Sequence, residues 1–283
     1  MNIPKSTATL QQLVDFYMES GAFCRLSSSS QRDYETHLQS ICGTVVEGRK
    51  LGDYRNKNLK VRHLMQAYET WLDTGVRTAN YRKSVLSAAW KNAMRYDVMQ
   101  HDPVRLVQTV SSSPRRTLWS RDHIHTFLKT SYGDFRWRSI GLIVHMAYEW
   151  GQRVGDMRVL QWDKVDLDQC RLDLTQSKRN AEVHLPISVS LCNMLRQQKE
   201  DFSFQDYVVN DVLEEANLPT TLTAMDLRRT AVTEMMEGGV DIAGIMQVTG
   251  HKDIGSVKPY MVNTFSGASK ALAARGNEDD EHS

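Results

Sequence analysis

The residue types most capable of chemistry gather between Met225 and Tyr260. Asp226-Leu227-Arg228-Arg229-Thr230 is followed by Thr249-Gly250-His251, and Tyr260 comes nine positions after the histidine. A guanidinium binds phosphate oxygens bidentately, an imidazole gives or takes a proton, and a phenol can attack phosphorus. That set suits chemistry on a phosphate. Arg228 and Arg229 are neighbours, so on a helix they point about 100° apart and cannot both serve one phosphate. Earlier in the chain, Arg153 closely follows Gly151 at the end of an apolar stretch, where a large charge needs a partner.

The elements that must carry these residues are legible from periodicity. Leu227, Ala231, Met235 and Met236 make one face of a helix over Asp226–Gly238, and a second helix over Val240–Val248 is closed by Gly250. Another short helix lies between His251 and Tyr260. Upstream, Ser120 caps a helix through Leu128, and Phe135–Trp150 reads as one long apolar helix. Val154–Leu160 is a short helix. Val165–Leu167, Arg171–Leu174 and Glu182–Pro186 alternate like strands of a small antiparallel sheet, with a turn over Thr175–Ala181 carrying Lys178 and Arg179. Helices over Ser188–Lys199 and Gln205–Asn217 complete this half.

These residues resemble a known family. Asp226–Thr230, Thr249–His251 and Tyr260, together with Tyr148-Glu149-Trp150-Gly151-Gln152-Arg153-Val154-Gly155-Asp156 and Leu160-Gln161-Trp162, look like the boxes of the tyrosine recombinases, the phage integrase family. The resemblance covers nearly the whole chain. It implies that Arg153 and Arg228 are the catalytic arginines, that His251 joins them, and that Tyr260 is the nucleophile. It makes Asp156 the acid that orients Arg153, Lys178 the mobile general acid and Arg229 a structural or backbone-binding residue. Arg179 competes with Lys178 for its position, but a guanidinium is a poor proton donor at neutral pH. One position departs: the family usually has histidine where this chain has Met225, and a thioether transfers no proton.

The first part of the chain is helical throughout. Helices are expected over Leu10–Met18, from the Ser27–Ser30 cap through Ile41, over Leu59–Asp73 and over Thr78–Val98, with a ragged connection at Gly43–Asn58. By resemblance these form the core-binding domain, which clamps DNA. Arg82, Lys83, Lys91 and Arg95 on the last helix become candidate phosphate contacts, although a solvated basic face is the ordinary reading of such a helix. Pro, Ser and charge from His101 to Arg116 read as a tether, with Arg115 and Arg116 able to lie along the DNA backbone. The expected fold is therefore mainly α with a small antiparallel β-sheet. Residues 1–104 form a helical, SAM-like DNA-binding domain, 105–116 a linker, 117–275 a mixed α/β catalytic domain, and 276–283 an acidic disordered tail.

Charge and composition agree. The formal net charge is +1, and removing Glu278, Asp279, Asp280 and Glu281 raises it to +5. Cys24, Cys42, Cys170 and Cys192 form no metal or redox motif and read as reduced, packed thiols. No membrane-spanning run, nucleotide loop or paired-carboxylate metal site appears, so no cofactor is expected. The resemblance implies a site-specific recombinase acting on double-stranded DNA attachment sites as a homotetramer in a bacterial cytoplasm, with an accessory DNA-bending protein as a further partner. Phe265–Ala274 is apolar enough to pack into a neighbouring protomer. Helices beginning near the amino terminus leave no room for an arm-binding domain, which suggests a compact phage integrase. An Xer-like dimer resolvase, a type IB topoisomerase and a catalytically weakened DNA-binding accessory protein are the alternatives.

Overall fold

The computed structural model describes residues 7–260 apart from 114, 179 and 202–208, together with residue 269. The chain divides into two compact units, one ending at Ser113 and the other beginning at Pro114.

The first unit is a helical bundle. Its helices are α1 (Leu10–Met18), the single turn α2 (Gly21–Cys24), α3 (Ser28–Gly43), α4 (Val61–Leu72) and α5 (Val76–Arg95). Thr9 caps α1 through a reciprocal pair with Gln12, and Ser27 caps α3 by accepting from the Ser30 amide. Leu10, Leu13, Leu38, Ile41, Leu86 and Trp90 lose all contact with water in one shared core. Each such side chain contributes about 1.5–3 kcal/mol of transfer free energy. The 43–58 connection, expected as irregular, holds a two-residue hairpin of β1 (Val45–Val46) and β2 (Arg49–Lys50) followed by two 3-10 turns.

The tether is shorter than the sequence suggested. Val104 and Val107 are buried in the first core, and the Val110 amide donates to the Tyr68 hydroxyl. Apolar side chains at 104 and 107 hold the chain against the bundle where serine and proline alone would release it.

The second unit opens with α6 (Arg121–Gly133), capped by Ser120, and α7 (Arg138–Glu149). The single helix expected over Phe135–Trp150 is broken at its start, because the Asp134 carboxylate caps the Arg136 amide and closes a 3-10 turn over Phe135–Trp137. After α8 (Val154–Arg158) come β3 (Val165–Asp166), β4 (Arg171–Thr175) and β5 (Glu182–Pro186), an antiparallel sheet in that order. Its register pairs Leu172 with Leu185 and Leu174 with Val183, so all four buried side chains share one face. The sheet is followed by α9 (Val189–Asp201), α10 (Val209–Glu215), α11 (Asp226–Glu237), α12 (Ile242–Thr249) and α13 (Ile254–Val257). The start expected for the helix before Asn217 falls partly outside the described residues, as do the expected helix over 265–274 and the acidic tail.

The core of this unit runs from Trp119 through α7 to Leu227 on α11, and a smaller cluster joins Val232, Ile245 and Val257 with Met235, Met236 and Met246. Cys170 and Cys192, far apart in sequence, bring their sulfurs to 3.1 Å. Among the described residues no helix is long and apolar enough to cross a membrane.

Candidate active site

Four segments of the second unit converge on one locus, and backbone geometry explains the convergence. Helix α7 ends at Trp150, whose indole nitrogen donates to Pro186 O on β5. Gly151 then takes a left-handed turn at φ 57°, which turns the chain so that Arg153 becomes the N-cap of α8. Helix α12 ends in the same way at Gly250, φ 67°, which delivers His251 directly after the helix.

Arg228 is the centre of the site. It is only 4% exposed, and its Nη1 donates to Gly151 O at 3.0 Å while Nη2 donates to Thr249 O at 2.8 Å. Nη2 also stands 3.1 Å from His251 Nε2. The histidine's protonation pattern follows from its neighbours. Thr249 Oγ1 gives its hydrogen to Ile245 O, so it must accept from His251 Nδ1, 2.6 Å away. Nε2 then faces Arg228 with its lone pair.

Arg153 is about one-quarter exposed, with Nη1 donating to Gln176 Oε1 at 3.0 Å and lying 3.8 Å from Asp156 Oδ2. Asp156 is buried and accepts from the amide and hydroxyl of Ser177, in the turn after β4. Lys178 is the next residue, exposed at that turn, while Arg179 lies outside the described residues. Tyr260 ends the 3-10 turn Lys258–Tyr260, which packs against α11, the helix of Arg228. Among the described residues no cluster of three metal-ligating side chains exists.

Other expected residues stand apart from this locus. Arg229 is half-buried, with Nη1 3.7 Å from Asp226 Oδ1, so it faces its own helix start and not Arg228's carbonyls. Arg115 corrects the picture of a loose cation along DNA. Its guanidinium makes a two-pronged bond to buried Asp226, with Nε to Oδ1 at 2.8 Å and Nη2 to Oδ2 at 2.7 Å, and it also reaches Thr221 O. Burial alone would raise the Asp226 pKa, but bonds from Arg115 and Thr223 outweigh it and hold the carboxyl below its ordinary range. Arg116 is exposed. Met225 is 81% exposed at the N-cap of α11.

In the first unit, Lys83 and Lys91 line a groove of about 560 Å³ with Asn80, Ser84, Ser87 and Tyr34. Arg82 points elsewhere, to Thr74 Oγ1, and Arg95 is exposed one turn beyond Lys91.

The model of the phage integrase family matches residues 120–208 and 203–266, more than half of the chain. The chain belongs to the phage integrase family. It is a tyrosine recombinase, an enzyme of site-specific recombination that breaks and rejoins DNA. Among its relatives, tyrosine recombinase XerD of Ralstonia nicotianae is 22% identical over 91% of this chain and 90% of its own. The shufflon-specific DNA recombinase of Escherichia coli is 25% identical over 65% of this chain and 50% of its own. A lambda integrase dimer bound to a COC′ core site has the same fold at a TM-score of 0.71 and 18% identity, matching 89% of this chain and 77% of that one. A lambda integrase tetramer bound to a Holliday junction gives 0.70 at 19% identity, with 88% and 79% covered.

Sequence reasoning missed two residues of this recombinase's site. Gln152 and Gln176 are both wholly buried beside Arg153. Neither residue type carries a reactive group, and the only signal was two amides flanking motif residues in otherwise apolar or turn sequence.

Proposed function

We propose that this recombinase is an integrase of a phage or mobile element, acting on double-stranded DNA attachment sites. Tyr260 gives up its phenolic proton, attacks the scissile phosphorus and becomes joined to the 3′ phosphate. The bond from phosphorus to the 5′ oxygen breaks, and Lys178 protonates that oxygen, which leaves as a hydroxyl. Arg153 and Arg228 stabilise the extra negative charge of the pentacoordinate transition state, His251 joins them once Nε2 has taken a proton, and Asp156 orients Arg153. The phosphotyrosine retains the energy of the phosphodiester, so rejoining to a new partner strand requires no nucleotide.

The observation that carries this reading is the position of Arg228. A buried guanidinium bonded to Gly151 O and Thr249 O ties the Arg153 and His251 segments to one helix. Such an arrangement holds cations rigidly, which a site that must bind a phosphate in one geometry requires.

A homotetramer on paired duplexes fits the lambda integrase tetramer on a Holliday junction, and a DNA-bending accessory protein is a further proposed partner. The groove of Lys83 and Lys91 supplies non-sequence-specific contacts to the backbone, and the reaction takes place on DNA in a bacterial cytoplasm. The likeness to XerD does not favour a dimer-resolvase role over this one.

The test is covalent trapping. A nicked duplex that carries the attachment site blocks religation, so wild-type protein should accumulate a protein–DNA adduct. Tyr260→Phe should bind the same duplex and give none, and EDTA should leave the wild-type yield unchanged. An adduct with the phenylalanine variant would overturn the assignment of the nucleophile.

A further inference from the structure

Gln176 is the last residue before the Lys178 turn and is completely buried. Its amide orientation is forced by the groups around it. Gln152 Nε2 spends both hydrogens on Trp150 O and Val248 O, which turns Gln152 Oε1 toward Gln176. Gln176 Nε2 therefore faces two acceptors, Gln152 Oε1 at 2.6 Å and Thr249 O at 2.8 Å. Its Oε1 then accepts from Arg153 Nη1 at 3.0 Å. Donor and acceptor are both used, so the side chain has one satisfied orientation.

The partners give this orientation its meaning. Thr249 O also accepts from Arg228 Nη2, so a single carbonyl joins the Gln176 amide to the second arginine. The main chain of Gln176 is fixed too, its amide donating to Ala181 O and its carbonyl accepting from the Asn180 amide. Gly250, beside it, has no room for a side chain: a Cβ there would come within 2.7–2.9 Å of the Gln176 amide.

We propose that Gln176 is a positioning residue for strand cleavage, holding Arg153 and, through Thr249 O, Arg228 at the spacing that one phosphate requires. It touches no DNA and acts through the two guanidiniums. The inference rests on the reading of Arg153, Arg228 and His251 as the phosphate-binding set.

The test uses full-length protein and a nicked duplex recovered from a random-sequence pool by its covalent capture on the wild-type chain. Gln176→Met keeps the volume and removes all three side-chain hydrogen bonds. Single-turnover adduct formation is measured at saturating protein, with the dissociation constant and melting temperature measured separately. The rate should fall about 10- to 100-fold while the dissociation constant changes less than about twofold, as expected when hydrogen bonds that orient charged groups are lost. A purely structural residue would alter binding and rate together, or neither.

A second substrate separates the two cationic devices. A duplex with sulfur bridging to the 5′ carbon leaves as a thiolate and needs no proton, so it relieves loss of a general acid but not loss of arginine placement. Gln176→Met should be equally slow on both duplexes, whereas Lys178→Ala should recover on the sulfur duplex. If Gln176→Met fails to fold, Gln176→Asn serves, since it is too short to reach Thr249 O and Gln152 together and should show the same loss. A rate within twofold of wild type overturns the proposal, as does recovery of the Gln176 variant on the sulfur duplex. Capture of no adduct by the wild type, or an adduct formed by Tyr260→Phe, would instead overturn the underlying reading of the site.

Discussion

Gly250→Ala is the substitution from which the packing of the site can be read most directly. Gly250 has φ 67°, and a Cβ there would lie 2.7 Å from Gln176 Nε2 and 2.8 Å from Cδ. Two penalties follow. The left-handed backbone costs about 1–2 kcal/mol for any residue with a Cβ. The collision is with the end of a side chain that three hydrogen bonds hold in place, so moving aside must break one or two of them, about 1 kcal/mol each. Together these give a loss of about 2–4 kcal/mol. Gly239 isolates the first term, because it has φ 87° in the same unit and nothing within 4 Å of its hypothetical Cβ. Gly239→Ala should therefore cost only about 1–2 kcal/mol. Urea unfolding of both variants and wild type, followed through the second unit's tryptophans, gives the difference. Gly250→Ala should be the less stable by about 1–2 kcal/mol, the contribution of the displaced hydrogen bonds. Equal losses in the two variants would refute the argument that Gln176 is locked in place. So would a Gly250→Ala variant that keeps the wild-type cleavage rate.

Further outcomes are expected elsewhere. Met225 is 81% exposed, so at most a fifth of its burial term is at stake, about 0.3–0.6 kcal/mol; Met225→His should leave the melt nearly unchanged. A hydrogen bond to a charged oxygen is worth about 1.5–3 kcal/mol when dry and less at this exposed position, so single-turnover cleavage should rise about three- to tenfold; a slower variant would show that the helix start does not face the phosphate. Asp226 has a lowered folded pKa, so the stability it contributes is present above the unfolded carboxylate pKa of about 4 and is lost as pH falls through the lower folded value. Asp226→Asn should flatten acid unfolding below about pH 4. Arg115→Ala should cost about 1–3 kcal/mol, less than a fully buried pair because Arg115 is 38% exposed and partly screened; an unchanged acid limb in a urea–pH series would contradict both. Replacing Lys83 or Lys91 by Ala should weaken binding to unrelated duplexes and reduce the salt slope by about one each, whereas Arg82→Ala should do so less; equal effects would mean that the groove is not the contact surface.

The sequence by itself determined the helices and the small sheet, because apolar spacing reports which side of an element leaves water, and Ser, Thr and Gly mark where it starts and stops. Arg153, Arg228, His251 and Tyr260 stood out as candidates because their types and order resemble a family pattern. Asp156 and Lys178 became candidates in the same way. The two glutamines did not. An amide has no reactivity to advertise, and its importance comes from which carbonyls surround it once α7, the β4–β5 turn and α12 have met. The partner of Arg115 was hidden for a related reason: nothing local distinguishes an arginine along DNA from one bound to a carboxylate more than a hundred residues away. Met225 was legible as a departure from the family pattern, and its 81% exposure was decided only by the assembled unit. Local sequence fixes backbone conformation and the facing of side chains within an element. The partners of a buried polar group are decided by distant segments, since only the folded chain brings donor and acceptor within about 3 Å and removes the water that would otherwise satisfy them.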